Sequence, residues 1–232
     1  MATVAFGAAL SHAGVKYLAA SPETMLAPGV PSSVAHDIAE DRSDPAQLAR
    51  DIVDTTMDTH YGDDVNSFGP AAAFDVIDLD PAKIARMEHG VKKLDAALSE
   101  AAHDRATRTA IRQDARAIEG MVRFPQGKEL PWRADRPAIA LYDTFAQDGR
   151  LDAKVRAAAA QARDAVADTV LAHRESDDFE PFNDADYTNA AGPTVHFPVN
   201  AKQLDPWAPE VSETDNAFYK KVGAADLARV VA

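Results

Sequence analysis

Val15-Lys16-Tyr17-Leu18-Ala19-Ala20-Ser21-Pro22-Glu23-Thr24, continued by Ala27-Pro28-Gly29-Val30-Pro31, decides how the rest of the chain is read. The apolar start reads as a short buried strand. It opens into a loop carrying a hydroxyl and a carboxylate, which the prolines and Gly29 then stiffen and turn. A strand end feeding such a loop is where α/β proteins commonly build substrate sites.

Upstream, residues 2–13 are apolar with small side chains and predict a buried helix ended by Gly14. No N-cap is expected before it. Downstream, residues 32–39 predict a short capped helix. Asp44-Pro45-Ala46 opens another, with Leu48, Ile52, Val53 and Met57 on one stripe. Phe74-Asp75-Val76-Ile77-Asp78-Leu79 predicts a strand, and Asp80-Pro81-Ala82 starts a helix carrying Ile84, Met87, Val91, Leu94 and Leu98. Further helices are expected over residues 105–122 and 151–173, the second alanine-rich with Val155, Ala159, Ala162, Val166 and Val170 inward. Residues 124–137 predict a proline-rich loop, and Ala138-Ile139-Ala140-Leu141-Tyr142-Asp143 suits either a strand or a helix start. Thr194-Val195-His196-Phe197-Pro198 predicts a late strand, and residues 215–232 two short helical pieces. Strands separated by helices predict an α/β fold.

The 232 residues suffice for one substantial domain or a domain with an appendage, and the apolar share of 46% can build a core, although much of it is alanine. The formal charge of −13 argues against nucleic acid and anionic membrane as partners, and permits a basic peptide. No run is long enough to span a bilayer. Residues 1–10 are apolar but lack the basic region of a signal peptide. The chain contains no cysteine, which excludes disulfides, thiolate metal sites and a cysteine nucleophile.

Five segments, taken in order, resemble the part of clostripain-like cysteine peptidases that follows the nucleophile. They are Met1-Ala2-Thr3-Val4 with its apolar helix; Tyr17-Leu18-Ala19-Ala20-Ser21-Pro22-Glu23-Thr24; Asp75-Val76-Ile77-Asp78-Leu79; Leu141-Tyr142-Asp143-Thr144-Phe145-Ala146; and Gly192-Pro193-Thr194-Val195-His196-Phe197-Pro198. The resemblance implies a caspase-like layered sheet with helices on both faces, incomplete at the N-terminus, and a helix-rich C-terminal part. Residues 1–80 would be the end of a peptidase-like α/β domain. Residues 81–232 would form a helical region that returns a late strand, about 193–198, to the same sheet.

Functionally, the resemblance implies hydrolysis of peptide bonds after Arg or Lys by the intact family. Ser21, Glu23 and Thr24 would line the substrate side, with Glu23 pairing a basic side chain. The loop 27–30 adds no acid to that preference. The family's catalytic histidine and cysteine lie before the matching region, so no catalytic residue is expected here. The chain then reads as an inactive segment or pseudoenzyme, and alternatively as a non-catalytic scaffold that binds protein or peptide. Absent upstream strands would leave an exposed N-terminal edge, with Val4, Phe6 and Leu10 toward solvent, favouring self-association.

The remaining polar residues give weaker signals. Ser11 and His12 are adjacent, which points their side chains about 100° apart on a helix and argues against a nucleophile–base pair. The histidines at 12, 36, 60, 89, 103, 173 and 196 show no metal-ligand spacing. His196 reads as a sheet-face histidine and His60 as a helix-end residue. Asp63-Asp64 with Asn66, and the cluster Asp177, Asp178, Glu180, Asn183, Asp184 and Asp186, offer calcium-type oxygen ligands without the regular loop spacing. They read as solvated acidic loops, and no cofactor is expected.

Overall fold

A computed structural model describes residues 3–21, 30–40, 44–61, 73–118, 135–175, 190–200 and 217–223, together with 227, 230 and 231. Their order is α1 (Val4–His12), β1 (Tyr17–Ala20), α2 (Val34–Glu40), α3 (Pro45–Tyr61), β2 (Ala73–Asp78), α4 (Pro81–Ala101), α5 (Arg105–Ala117), β3 (Asp135–Pro137), α6 (Ala138–Gln147), α7 (Ala153–Ala167), β4 (Val170–Glu175), β5 (Thr194–His196) and α8 (Ala217–Val222). The fold is mixed α/β, dominated by helix, with small antiparallel sheets.

Most helix starts are fixed by one side chain. Asp80 accepts from the amides of Ala82 and Lys83, with Pro81 at the first position. Asp44, Asp104 and Asp152 do the same for α3, α5 and α7. Each such cap contributes about 1 kcal/mol. The first helix also has a cap, contrary to expectation. It starts at Val4, and the Thr3 hydroxyl accepts from the Phe6 amide at 3.0 Å. Gly14, at φ +87°, ends that segment.

A three-stranded sheet runs in the order β1-β2-β4, antiparallel throughout. One face packs on α3 through Val53, Met57, Phe74 and Val76. The other face contributes Leu18, Ile77 and Val170 to a larger core shared by α1, α4, α5, α6, α7 and α8.

That core is organised around α4 and α7, which lie antiparallel. Lys83 and Arg86 reach Asp168 at one end, Lys93 bonds Gln161 at 2.8 Å, and Lys154 pairs with Glu100 at the other end. The helices approach closely because the facing residues are small: a Cβ on Gly90 would sit 3.2 Å from the Ala162 Cα. Ala158, Ala159 and Ala162 are all buried there.

Further sequence expectations need correction. The helix expected over 151–173 stops at Ala167, and residues 170–175 form β4. Thr169 turns the chain: its hydroxyl bonds the Val166 carbonyl at 2.7 Å, and its own carbonyl takes the Asp78 amide. The late strand does not return to the main sheet, where β4 takes the place beside β2. Instead β5 pairs with β3, in residues expected to be loop, and Thr3 forms a parallel bridge with Thr194. Finally, the N-terminal helix is less exposed than expected. Val4 is buried and Leu10 packs against the core, while Phe6 remains 46% exposed. Residues 138–143, left open between strand and helix, begin α6.

Replacing Gly90 by Ala should gain up to about 1 kcal/mol of helix propensity. It should lose about 1–3 kcal/mol by driving a methyl group into backbone. The net expectation is a lower melting temperature in thermal unfolding. An unchanged or raised value would show that α4 and α7 separate at no cost.

Candidate functional site

The strand end singled out by sequence is where β1 closes. Ser21 follows Ala20 and is buried, whereas Glu23 and Thr24 lie outside the described residues. The acidic stretches 63–66 and 177–186 lie outside them as well. The ladder fixes the orientation of β1. Leu79 donates to the Lys16 carbonyl at 2.8 Å, so Lys16, Leu18 and Ala20 turn their backbone groups toward β2. Tyr17 and Ala19 therefore turn theirs outward, where no strand pairs with them among the described residues. Within Tyr17–Ala20 this edge bears no charged residue, proline or bulge that would discourage another strand, and Lys16 just before it is the nearest charge.

Across the sheet from Ala20 lies a polar group that the sequence reading missed. Asp75 is fully buried, and its Oδ1 accepts from His173 Nδ1 at 2.8 Å and from the Gly192 amide at 3.0 Å. His173 Nε2 lies 3.3 Å from Glu175 Oε2. Asp75 Oδ2 is buried with no hydrogen-bond partner among the described residues. Burial pulls the His173 pKa down, but the hydrogen bonds and charges of Asp75 and Glu175 outweigh it and raise the pKa.

A second acidic group ties α5 to the α6–α7 turn. The Arg150 guanidinium donates to Asp114 at 2.5 Å, to Asp148 at 2.9 Å and to Gln113 at 2.6 Å. Burial, then a hydrogen bond and the like charge from Asp148, push the Asp114 carboxyl up to about 7 despite Arg150. At Asp148, burial is overcome by the Arg150 side chain and amide, and its pKa is lowered. Such a divergent carboxylate pair is a common arrangement for holding one proton near neutral pH. Arg150 also borders an open cleft of about 520 Å³, floored by Ala97, Ala101 and Leu151 and rimmed by Glu100, Asp104 and Lys154.

The other sequence candidates fall into structural positions. The Ser11 hydroxyl donates to the Leu79 carbonyl at 2.7 Å, while the largely exposed His12 faces Glu88 at 3.6 Å. They do not form a catalytic pair. His196 sits across from Asp135 in the β3–β5 ladder, at 3.6 Å. No group of three or more potential metal ligands exists among the described residues. None of the described helices is long and apolar enough to cross a membrane.

Comparison with protein-family models, curated proteins and solved structures returned no match.

The Asp114 carboxyl should be visible as a ¹³C resonance titrating near pH 7. Asp148→Asn removes the like charge, so the midpoint should move down. A midpoint in the ordinary carboxylate range, or one insensitive to Asp148→Asn, would rule out the shared-proton arrangement.

Proposed function

We propose that this chain is the cysteine-free segment of a clostripain-like endopeptidase: a scaffold that supplies a substrate-side strand and loop and does not itself cleave peptides. The reading starts from the ordered resemblance of its segments to that family. The observation that carries it is β1, which leads into buried Ser21 while, among the described residues, no strand pairs with the backbone groups of Tyr17 and Ala19 at the sheet edge. Such an edge accepts an extended chain through main-chain hydrogen bonds. In this proposal Ser21, Glu23 and Thr24 border the bound peptide, and Glu23 pairs with a basic side chain. The caspase-like layering belongs to the same proposal. The unpaired edge equally favours a second reading, a non-catalytic scaffold that binds peptide or protein by strand addition.

Without a thiol there is no nucleophile of the family's kind. Incubation with Arg- and Lys-containing chromogenic peptides should give background rates, unchanged by iodoacetamide. Thiol-sensitive cleavage by a sequence-verified sample would overturn the reading.

The open edge should also make the chain self-associate, read as a rise in mean mass by light scattering over a concentration series. Ala19→Pro removes only an outward amide, so it should weaken association while preserving the β1–β2 ladder. Strict monomers at high concentration, or association indifferent to Ala19→Pro, would remove the edge from the argument.

A further inference from the structure

His173 lies where two parts of the fold meet. Its strand, β4, belongs to the main sheet, while the segment 190–193 beside it leads into β5 of the second sheet. Asp75 holds both: its Oδ1 takes the His173 Nδ1 and the Gly192 amide. Gly192 is confined at that point. Its φ is +85°, and a Cβ there would lie 2.9 Å from Ile139 Cδ1 and 3.1 Å from Val170 Cγ2. Glu175, at the other side of the imidazole, is the last residue of β4.

The chemistry of the ring makes this arrangement dependent on one proton. An imidazolium carries two N–H donors and can serve both carboxylates. A neutral imidazole carries one, so serving Asp75 turns the Nε2 lone pair toward the Glu175 carboxylate. Losing the proton also removes the positive charge beside a fully buried carboxylate whose second oxygen has no partner among the described residues.

Among the described residues the charged surroundings are few. From β2 the group facing His173 is Asp75; from its own strand it is Glu175. On β1, opposite Asp75, stands Ala20, and the segment 190–193 presents only the Gly192 amide. Arg174 points away from the imidazole and is engaged by Asp54 and Asp58 of α3.

We propose that His173 is a proton-operated latch. As imidazolium it clasps Asp75 and Glu175 together and keeps the end of β4 and the segment 190–193 seated on the sheet. As neutral imidazole it releases Glu175 and loosens that segment. The sign follows from linkage: the raised His173 pKa makes its stabilisation complete below the unfolded-state value of about 6.5. The stabilisation fades as pH rises through the folded-state value. This inference is independent of the peptidase reading.

The test is amide hydrogen exchange and imidazole titration by NMR on the full chain, from about pH 6 to 9. Protection factors, which already correct for the intrinsic pH dependence of exchange, should fall about tenfold at Gly192 and residues 173–175 as His173 loses its proton. In His173→Gln they should be low and flat with pH. In Glu175→Gln the imidazole midpoint should move down, and this partly exposed position keeps the test open should His173→Gln fail to fold. Protection that stays constant through the His173 titration, the same fall in His173→Gln, or a midpoint unmoved by Glu175→Gln would overturn the latch.

Discussion

The close approach of α4 and α7 at Gly90 and Ala162 is the constraint on which the remaining structure depends. Two helices come this near only when their facing side chains are nearly absent. The alanine bias of residues 153–167 is therefore a packing feature as much as a helix-forming one. The contact also sets the position of the sheet. Where α7 ends, Lys83 bonds the Asp168 carbonyl and Thr169 takes the Asp78 amide, so the start of β4 is placed against β2 by the α4–α7 pair.

Around this apolar frame the chain buries several charged groups, and they are served unequally. Arg136 is fully buried yet well served, donating to the carbonyls of Ala115 and Phe197 and so joining α5, β3 and the segment after β5. Glu88 joins α1, α4 and α8 through His12 and Lys221. Asp95, on α4, has nothing comparable: its Oδ2 is buried with no partner among the described residues, and burial raises its pKa well above the ordinary value. A buried acid of this kind is destabilising once the unfolded chain can release its proton, from about pH 4 upward. Nothing in the structure explains its presence.

Features governed by local chemistry were readable in the sequence. An aspartate followed by proline announced α3 and α4, and the stripe Ile84, Met87, Val91, Leu94 and Leu98 marked the buried face of α4. What escaped was decided between distant segments. Val166 and Val170 keep helical spacing, so the sequence alone gave no sign that the chain would turn at Thr169 and become a strand. With that turn unseen, His173 stood on a helix and its pairing with Asp75 could not be drawn. The only available hint was the β-rich dipeptide Val170-Leu171 after Asp168-Thr169. The β3–β5 pair was hidden similarly, because Asp135-Arg136-Pro137 looks like loop until Arg136 finds carbonyls on two other elements. Of the candidate site, Ser21 was placed at a strand end as read, while the Asp114–Asp148–Arg150 cluster needed the α5 and α6–α7 contact to exist.

The order of strands in the main sheet bears on how the protein emerges during synthesis. β1 and β2 are made early, but the strand that completes the sheet comes only after α4–α7, and Thr3 finds its bridge partner only at Thr194. The α4–α7 contact at Gly90 and Ala162 closes a somewhat shorter stretch of chain than the β2–β4 pairing, and a much shorter one than that bridge. A nascent chain therefore carries β2, with its apolar Ala73, Phe74, Val76 and Ile77, paired on one edge only while the helices are still being translated. It is a natural place for a chaperone to hold the polypeptide until β4 has left the ribosome.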